Sequence, residues 1–290
     1  MRIIHTIAEL RAALALQGSQ KSSQKNVAFV PTMGNLHAGH ISLVEIARQH
    51  AKTIVVSIFV NPLQFGANED FGKYPRTLEA DCEQLQAAEA DIVFAPSVEE
   101  MYPDFDGKQL NQTMTIMPPP MANTLCGASR PGHFAGVATV VAKLFNIVQP
   151  AVAVFGKKDF QQLLVIKELV KQFNLPIEII AGETTREADG LAMSSRNGYL
   201  SQLERQKAVE LRLELRRVVE QIASGNRNFA SLENDAENIL RDKGWLVDYV
   251  AVRSAHDLAQ PSVADKNLVV LGAAKLGNTR LIDNIEVTLN

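Results

Sequence analysis

The stretch Pro31-Thr32-Met33-Gly34-Asn35-Leu36-His37-Ala38-Gly39-His40 joins two segments of different periodicity. Before it, Asn26-Val27-Ala28-Phe29-Val30 is a short apolar run of the kind buried inside a parallel sheet. After it, Ile41, Leu43, Val44, Ile46 and Ala47 recur at the three-and-four spacing of a helix face. A strand turning directly into a helix is the unit of a doubly wound (Rossmann-like) α/β sheet, which binds ligands at the carboxyl ends of its strands. Gly34 and Gly39 let the backbone approach a ligand closely, and the N–H groups of a helix start attract phosphate. His37 and His40, three apart, point the same way on a first helical turn. Two imidazoles there suit a nucleoside triphosphate and the charge that develops when it is attacked. Taken alone, the pair could equally cap the helix or hold a metal. The order of strand, glycines and histidines favours the nucleotide, and no other cluster offers zinc its remaining Cys, His or carboxylate ligands.

Composition narrows the class. A chain of 290 residues, 46% hydrophobic and 21% charged, can bury a real core and has the length of two domains. A net charge of −3 gives no reason to expect nucleic acid or an anionic membrane as partner. No apolar run has membrane-spanning length, and Met1-Arg2-Ile3-Ile4-His5 leads into folded-looking sequence without a signal core. Cys82 and Cys126 are therefore expected as thiols in a cytoplasmic protein.

Further strands follow the first. Thr53-Ile54-Val55-Val56-Ser57-Ile58-Phe59-Val60 reads as an internal parallel strand that runs into Asn61-Pro62-Leu63-Gln64. Residues 69–76 read as a charged loop, 77–88 as a helix and 91–95 as a short strand; 18–25 reads as a polar loop. Residues 101–120, rich in Pro, Gly and Asp, read as an excursion partly covering the site, outside the core. A buried helix over 136–148 precedes the strand 151–155, which ends in Gly156-Lys157-Lys158-Asp159-Phe160-Gln161-Gln162, again a strand-to-helix turn. A strand over 176–180 completes the set. From Thr185 a polar, glycine-bearing loop carries Met193-Ser194-Ser195-Arg196; helices over 202–224 and 229–243 and hairpin-like strands come after it. The expected division is a domain of residues 1–183 and a smaller α+β domain of 184–290.

Three strand ends thus bring polar residues to one rim: His37 and His40, Asn61 and Gln64, then Lys158, Asp159 and Gln162. Lys158 can stabilise phosphate charge and Arg196 can grip phosphate bidentately, with Ser194 and Ser195 adding hydroxyl donors. The strings PTMGNLHAGH, SIFVNPLQF, YPRT, RPGHFAGVATVV, FGKKDFQQL and READGLAMSSRNGYL, in this order over residues 31 to about 200, resemble the pantoate–β-alanine ligase family. That resemblance implies a two-step reaction: pantoate attacks the α-phosphorus of Mg-ATP to give pantoyl adenylate, and β-alanine then displaces AMP. It implies ATP contacts from Met33, Gly34, Asn35, Leu36, His37, Ala38, Gly39 and His40, with His40 as proton donor. Gly156, Lys157, Lys158 and Asp159 and the backbone of Thr185 would flank ribose and adenine. Met193 would join the nucleotide site, while Lys158, Ser194, Ser195 and Arg196 would stabilise the phosphoryl transition state. Gln64 and Gln162 would hold pantoate, and Gln64 with Asn61 would face β-alanine. Magnesium is expected on the phosphates, with Asp81 as a partner of the ion. The family also implies a homodimer, for which residues 55–60 offer an apolar stretch. Lys158 and Arg196 belong to different expected domains, so for both to reach the same phosphates the second domain is expected to close over the nucleotide. The competing readings are a nucleotidyltransferase for another small substrate and a nucleotide-binding module without turnover.

Overall fold

The computed structural model describes residues 1–17, 26–66 and 71–289. The loop expected at 18–25 and positions 69–70 of the charged loop lie outside the described residues. The elements are β1 (Arg2–Ile4), α1 (Ile7–Gln17), β2 (Val27–Thr32), α2 (Ala38–His50), β3 (Thr53–Ile58), α3 (Leu78–Ala87), β4 (Ile92–Phe94), α4 (Val98–Met101), α5 (Cys126–Ser129), α6 (His133–Val148), β5 (Val152–Gly156), α7 (Phe160–Gln172) and β6 (Glu178–Gly182). They continue with α8 (Gln202–Lys207), α9 (Glu210–Ala223), α10 (Phe229–Asp242), β7 (Leu246–Ser254), β8 (Asn267–Leu276) and β9 (Thr279–Thr288).

The described residues form two compact units. The first comprises Met1–Pro119, Arg130–Lys157 and Val165–Glu183; the second comprises Pro120–Ser129, Lys158–Leu164 and Thr184–Asn290. The main segment of the second begins at Thr184, and two short pieces from earlier in the chain join it.

In the first unit six strands pair in the order β1-β4-β3-β2-β5-β6, all parallel. Alternation along the strands assigns the two faces. Ala28, Val30, Ile54, Val56, Val93, Val152 and Val154 pack with Leu43, Val44 and Ala47 of α2 and Cys82 and Leu85 of α3. On the other face Phe29 and Phe155 each meet Phe145 of α6 edge-on, at 6.4 and 6.3 Å between centroids. Helices on both faces make this a doubly wound α/β sheet. Chain direction across the sheet reverses between β2 and β5, the switch point where such sheets open a ligand crevice.

Three readings change. β3 lies between β2 and β4, and Val55 and Val56 are fully buried, so the stretch 55–57 lies inside the sheet and offers no edge. Met101 and Tyr102 are 1% exposed, so the excursion starts inside the core. The helix read over 202–224 is two, because the hydrogen-bond ladder breaks at Ala208 and Val209 while their backbone stays right-handed.

In the second unit β7, β8 and β9 form an antiparallel sheet. Leu211, Leu215, Val218 and Ile222 of α9, with Leu232, Ala236 and Leu240 of α10, cover one face by the expected helical spacing. The other face presents Ala251, Val269 and Leu271 to Leu125, Phe160 and Leu164. Both cysteines are free thiols, and among the described residues no helix is long and apolar enough to cross a membrane.

Candidate active site

In the first unit the turn after β2 is held from beneath. Gly34 has φ +80°, and a Cβ there would come within 3.0 Å of both Asp81 Oδ2 and Ile58 Cγ2, so glycine is required. Asn35 and Leu36 donate their N–H groups to Asp81 at 2.9 and 2.8 Å, and Thr77 Oγ1 donates at 3.2 Å. Asp81 is 1% exposed, so its carboxylate shapes this loop. Among the described residues no group of three or more His, Cys, Asp or Glu could hold a metal ion.

The histidines are a helix cap, and the cap defines their chemistry. His37 N-caps α2, taking the Gly39 N–H on Nδ1 (3.1 Å), while the His37 N–H donates to Nδ1 of His40 (3.3 Å). The ring centroids are 4.1 Å apart. With both Nδ1 atoms accepting, each neutral imidazole carries its proton on Nε2. The cap therefore occupies Nδ1 of each ring. A cavity of about 260 Å³ opens beside this turn, bounded by Met33, Gly34, Phe59, Arg76, Asp81 and Ser97.

The turn after β3 is equally constrained. Gln64 is buried; its Nε2 donates to Met33 Sδ (2.8 Å) and its Oε1 accepts from Asn61 Nδ2 (3.1 Å). Asn61 is 1% exposed, taking the Tyr102 hydroxyl (2.6 Å) and the Leu63 N–H (3.3 Å) on Oδ1, with Nδ2 also reaching Gly136 O (3.3 Å). Asn61 thus supports Gln64 from within the fold. A Cβ at Gly136 would collide with the carbonyl of Leu63, which is why α6 can lie directly on this turn. The Gln64 carbonyl takes His133 Nδ1 (2.8 Å) and Arg130 Nη2 (3.4 Å). At the end of β5, Gly156 is half-buried and Lys157 pairs with Glu183 at 2.6 Å.

The second unit carries the remaining residues. Lys158 Nζ lies 3.8 Å from Asp159 Oδ2, a loose pair. Among the described residues the half-buried Gln162 carboxamide has no partner, whereas neighbouring Gln161 is buried and fully bonded: Oε1 accepts the Cys126 N–H, and Nε2 donates to the carbonyls of Met121 and Thr124. The polar loop is a small hairpin. Met193 N–H donates to Thr185 O (3.0 Å), Arg186 bridges Ala192, and Gly190 makes the turn at φ +91°. Ser194 then caps a 3-10 turn, Ser195–Tyr199, by accepting the Arg196 N–H (3.2 Å). Met193, Ser194, Ser195 and Arg196 are all half-buried.

Sequence reasoning missed Tyr102, Arg130, His133, Gly136 and Gln161. Four of these sit on α6, its approach and the first turn of α7, and the strings RPGHFAGVATVV and FGKKDFQQL already marked those stretches.

The family model for pantoate–β-alanine ligase matches residues 2–286. The pantothenate synthetase of Methylobacillus flagellatus is 60% identical over 289 residues, covering 100% of this chain and 99% of that one. The crystal structure of pantothenate synthetase from Thermus thermophilus superposes with TM-score 0.89 at 43% identity, covering 99% of this chain and 100% of that one. The ligase from Francisella tularensis, solved with β,γ-ATP and β-alanine, gives TM-score 0.76 at 34% identity over 98% and 97% of the two chains.

Proposed function

Because this chain belongs to the pantoate–β-alanine ligase family, we infer that it condenses pantoate with β-alanine at the expense of ATP to make pantothenate. The carrying observation is the family match from residue 2 to residue 286, which spans both units and every motif of the site. The readings as another nucleotidyltransferase or a passive nucleotide module have no comparable support.

The reaction is proposed to run in two steps. A pantoate carboxylate oxygen bonds to the α-phosphorus while the α–β bridging P–O bond breaks, its electron pair leaving with pyrophosphate. The β-alanine amine then attacks the acyl carbon, loses a proton, and the acyl C–O bond breaks to release AMP. No protein nucleophile is required, so the chain supplies orientation and charge stabilisation.

The residue roles are those carried over from the family, and donor chemistry supports them. Nε2–H of His37 and of His40 donates to phosphate oxygens, with His40 the proton donor, and the backbone from Met33 to Gly39 lines the nucleotide. Lys158, Ser194, Ser195 and Arg196 take the charge that builds on the phosphates during pyrophosphate departure. Gly156, Lys157, Asp159, Thr185 and Met193 complete the nucleotide contacts. Gln64 and Gln162 grip pantoate, and Gln64, aimed by Asn61, also faces β-alanine. Magnesium is carried on the ATP phosphates and adds charge neutralisation there. Asp81, with both oxygens on the Asn35 and Leu36 amides, shapes the loop.

A homodimer in the cytoplasm is part of the same reading. Met114 and Met117, 81% and 91% exposed, are better placed for a subunit contact than β3. A monomer mass by light scattering at micromolar concentration would remove the dimer. The activity is tested by incubating the purified chain with pantoate, β-alanine and Mg-ATP. Pantothenate and AMP should form in equal amounts; ADP in place of AMP would mean an acyl phosphate and sink the mechanism.

A further inference from the structure

Two buried polar residues of β9 have no part in the mechanism above. Asp283 is 5% and Asn284 7% exposed, beside Leu281, Ile285 and Val287 of the same strand, which join the apolar core. Asp283 pairs with Arg186 in a two-pronged ion pair, Oδ2 to Nη1 at 2.7 Å and Oδ1 to Nη2 at 3.0 Å. Arg186 also donates to the carbonyls of Gly190 (3.2 Å) and Asn284 (3.5 Å), so one guanidinium ties the hairpin turn to β9. The Asn284 N–H donates back to Asp283 Oδ1 (2.8 Å), and its Nδ2 donates to the main-chain carbonyl of Lys158 (2.9 Å). Gly190 packs against Arg212, where a Cβ would come within 3.4 Å, so the turn lies close against its support.

We propose that Asp283, Asn284 and Arg186 are positioning residues for adenylation, holding the Lys158 backbone and the 194–196 loop in one fixed frame. The proposal rests on the reading that Lys158 and Arg196 act on the phosphates. Stability alone is a poor reason for such a network. A buried ion pair contributes little net stability compared with apolar packing of the same volume, whereas a guanidinium–carboxylate fork fixes orientation in two bonds. Lys158 and Arg196 are separated in sequence by 37 intervening residues, and β9 holds the backbone of one and the hairpin preceding the other. Displacing a charge stabiliser by about 1 Å costs rate far more than affinity, on the order of a hundredfold.

A double-mutant cycle on pantoate-dependent ATP–pyrophosphate exchange, run well below the melting temperature of every variant, tests this. Asn284→Ala, with the milder Asn284→Ser alongside it, should lower the exchange kcat about 10- to 100-fold while the ATP KM moves less than about threefold. In a Lys158→Ala background the same change should have little further effect, because the group it positions is gone. Asp283→Asn should behave likewise against Arg196→Ala, and Arg186→Lys, which keeps the charge but loses the fork, should not restore the rate. A purely structural role would lower the melting temperature and leave kcat per folded molecule intact, which overturns the proposal. Equal losses in wild-type and Lys158→Ala backgrounds overturn it too. If Lys158→Ala and Arg196→Ala themselves leave exchange untouched, the reading of the phosphate site fails and this proposal with it.

Discussion

The histidine turn of the first unit and the Lys158–Arg196 cradle of the second, both proposed to act on the ATP phosphates, are built differently. Within the turn, the two rings cap their own helix through atoms two and three residues away, and a single distant carboxylate, Asp81, fixes the loop. In the cradle, the Lys158 carbonyl is held by Asn284 and the hairpin by Asp283 through Arg186, partners about a hundred residues or more along the chain. A locally closed site keeps its geometry when the distant fold is perturbed; a remotely supported one inherits every change in its support. Mutations should therefore separate the two regions by which kinetic constant they move.

The largest effect is expected in the cradle. Lys158→Ala and Arg196→Ala should each slow adenylation by about two or more powers of ten, with ATP affinity falling much less, because charges that act on the transition state change kcat. Aminolysis of supplied pantoyl adenylate should suffer less. Single-turnover measurement of each half-reaction checks this, and equal loss of both halves would show that these groups are not dedicated to phosphate charge.

The glutamines come next. Gln64→Ala and Gln162→Ala should raise the pantoate KM by about tenfold to a hundredfold, since losing a buried hydrogen-bond partner costs about 1–3 kcal/mol. Nucleotide binding should stay nearly intact; an equal rise in the ATP KM would place these residues in the wrong subsite.

The smallest effect concerns the support of Gln64. Tyr102→Phe removes one donor to Asn61 and should cost about 0.5–1.5 kcal/mol of stability. Burial raises the Tyr102 pKa, so the folded state holds the phenol proton where an unfolded chain would lose it. Its contribution is accordingly complete below about pH 10 and lost as pH rises through the higher folded value. Denaturant melts from pH 6 upward should show a constant gap between wild type and variant that shrinks only in strong alkali. A gap that closes already near pH 8 would contradict the assignment.

The same contrast explains what could be read from the sequence. The strand, the two glycines and the paired histidines lie within fifteen residues, and local periodicity is enough to place them at a strand-to-helix turn. That the histidines cap α2 was visible as an alternative, and the geometry shows that cap, made through Nδ1 of each ring. Asn61 stands at a strand end, which its own neighbours show, but its bonds to Tyr102 and Gly136 are not written in the residues beside it. Asp283 and Asn284 are adjacent and so lie on opposite faces of β9, and their partners, Arg186 and the Lys158 carbonyl, stand about a hundred residues or more earlier. Long-range partners are what local patterns cannot carry.

The central claim is that the chain activates a carboxylate as its adenylate before the amine is needed, and ATP–pyrophosphate exchange reads this directly. With Mg-ATP, labelled pyrophosphate and pantoate but no β-alanine, label should enter ATP, and omitting pantoate should abolish it. Exchange that appears only when β-alanine is present would contradict the account.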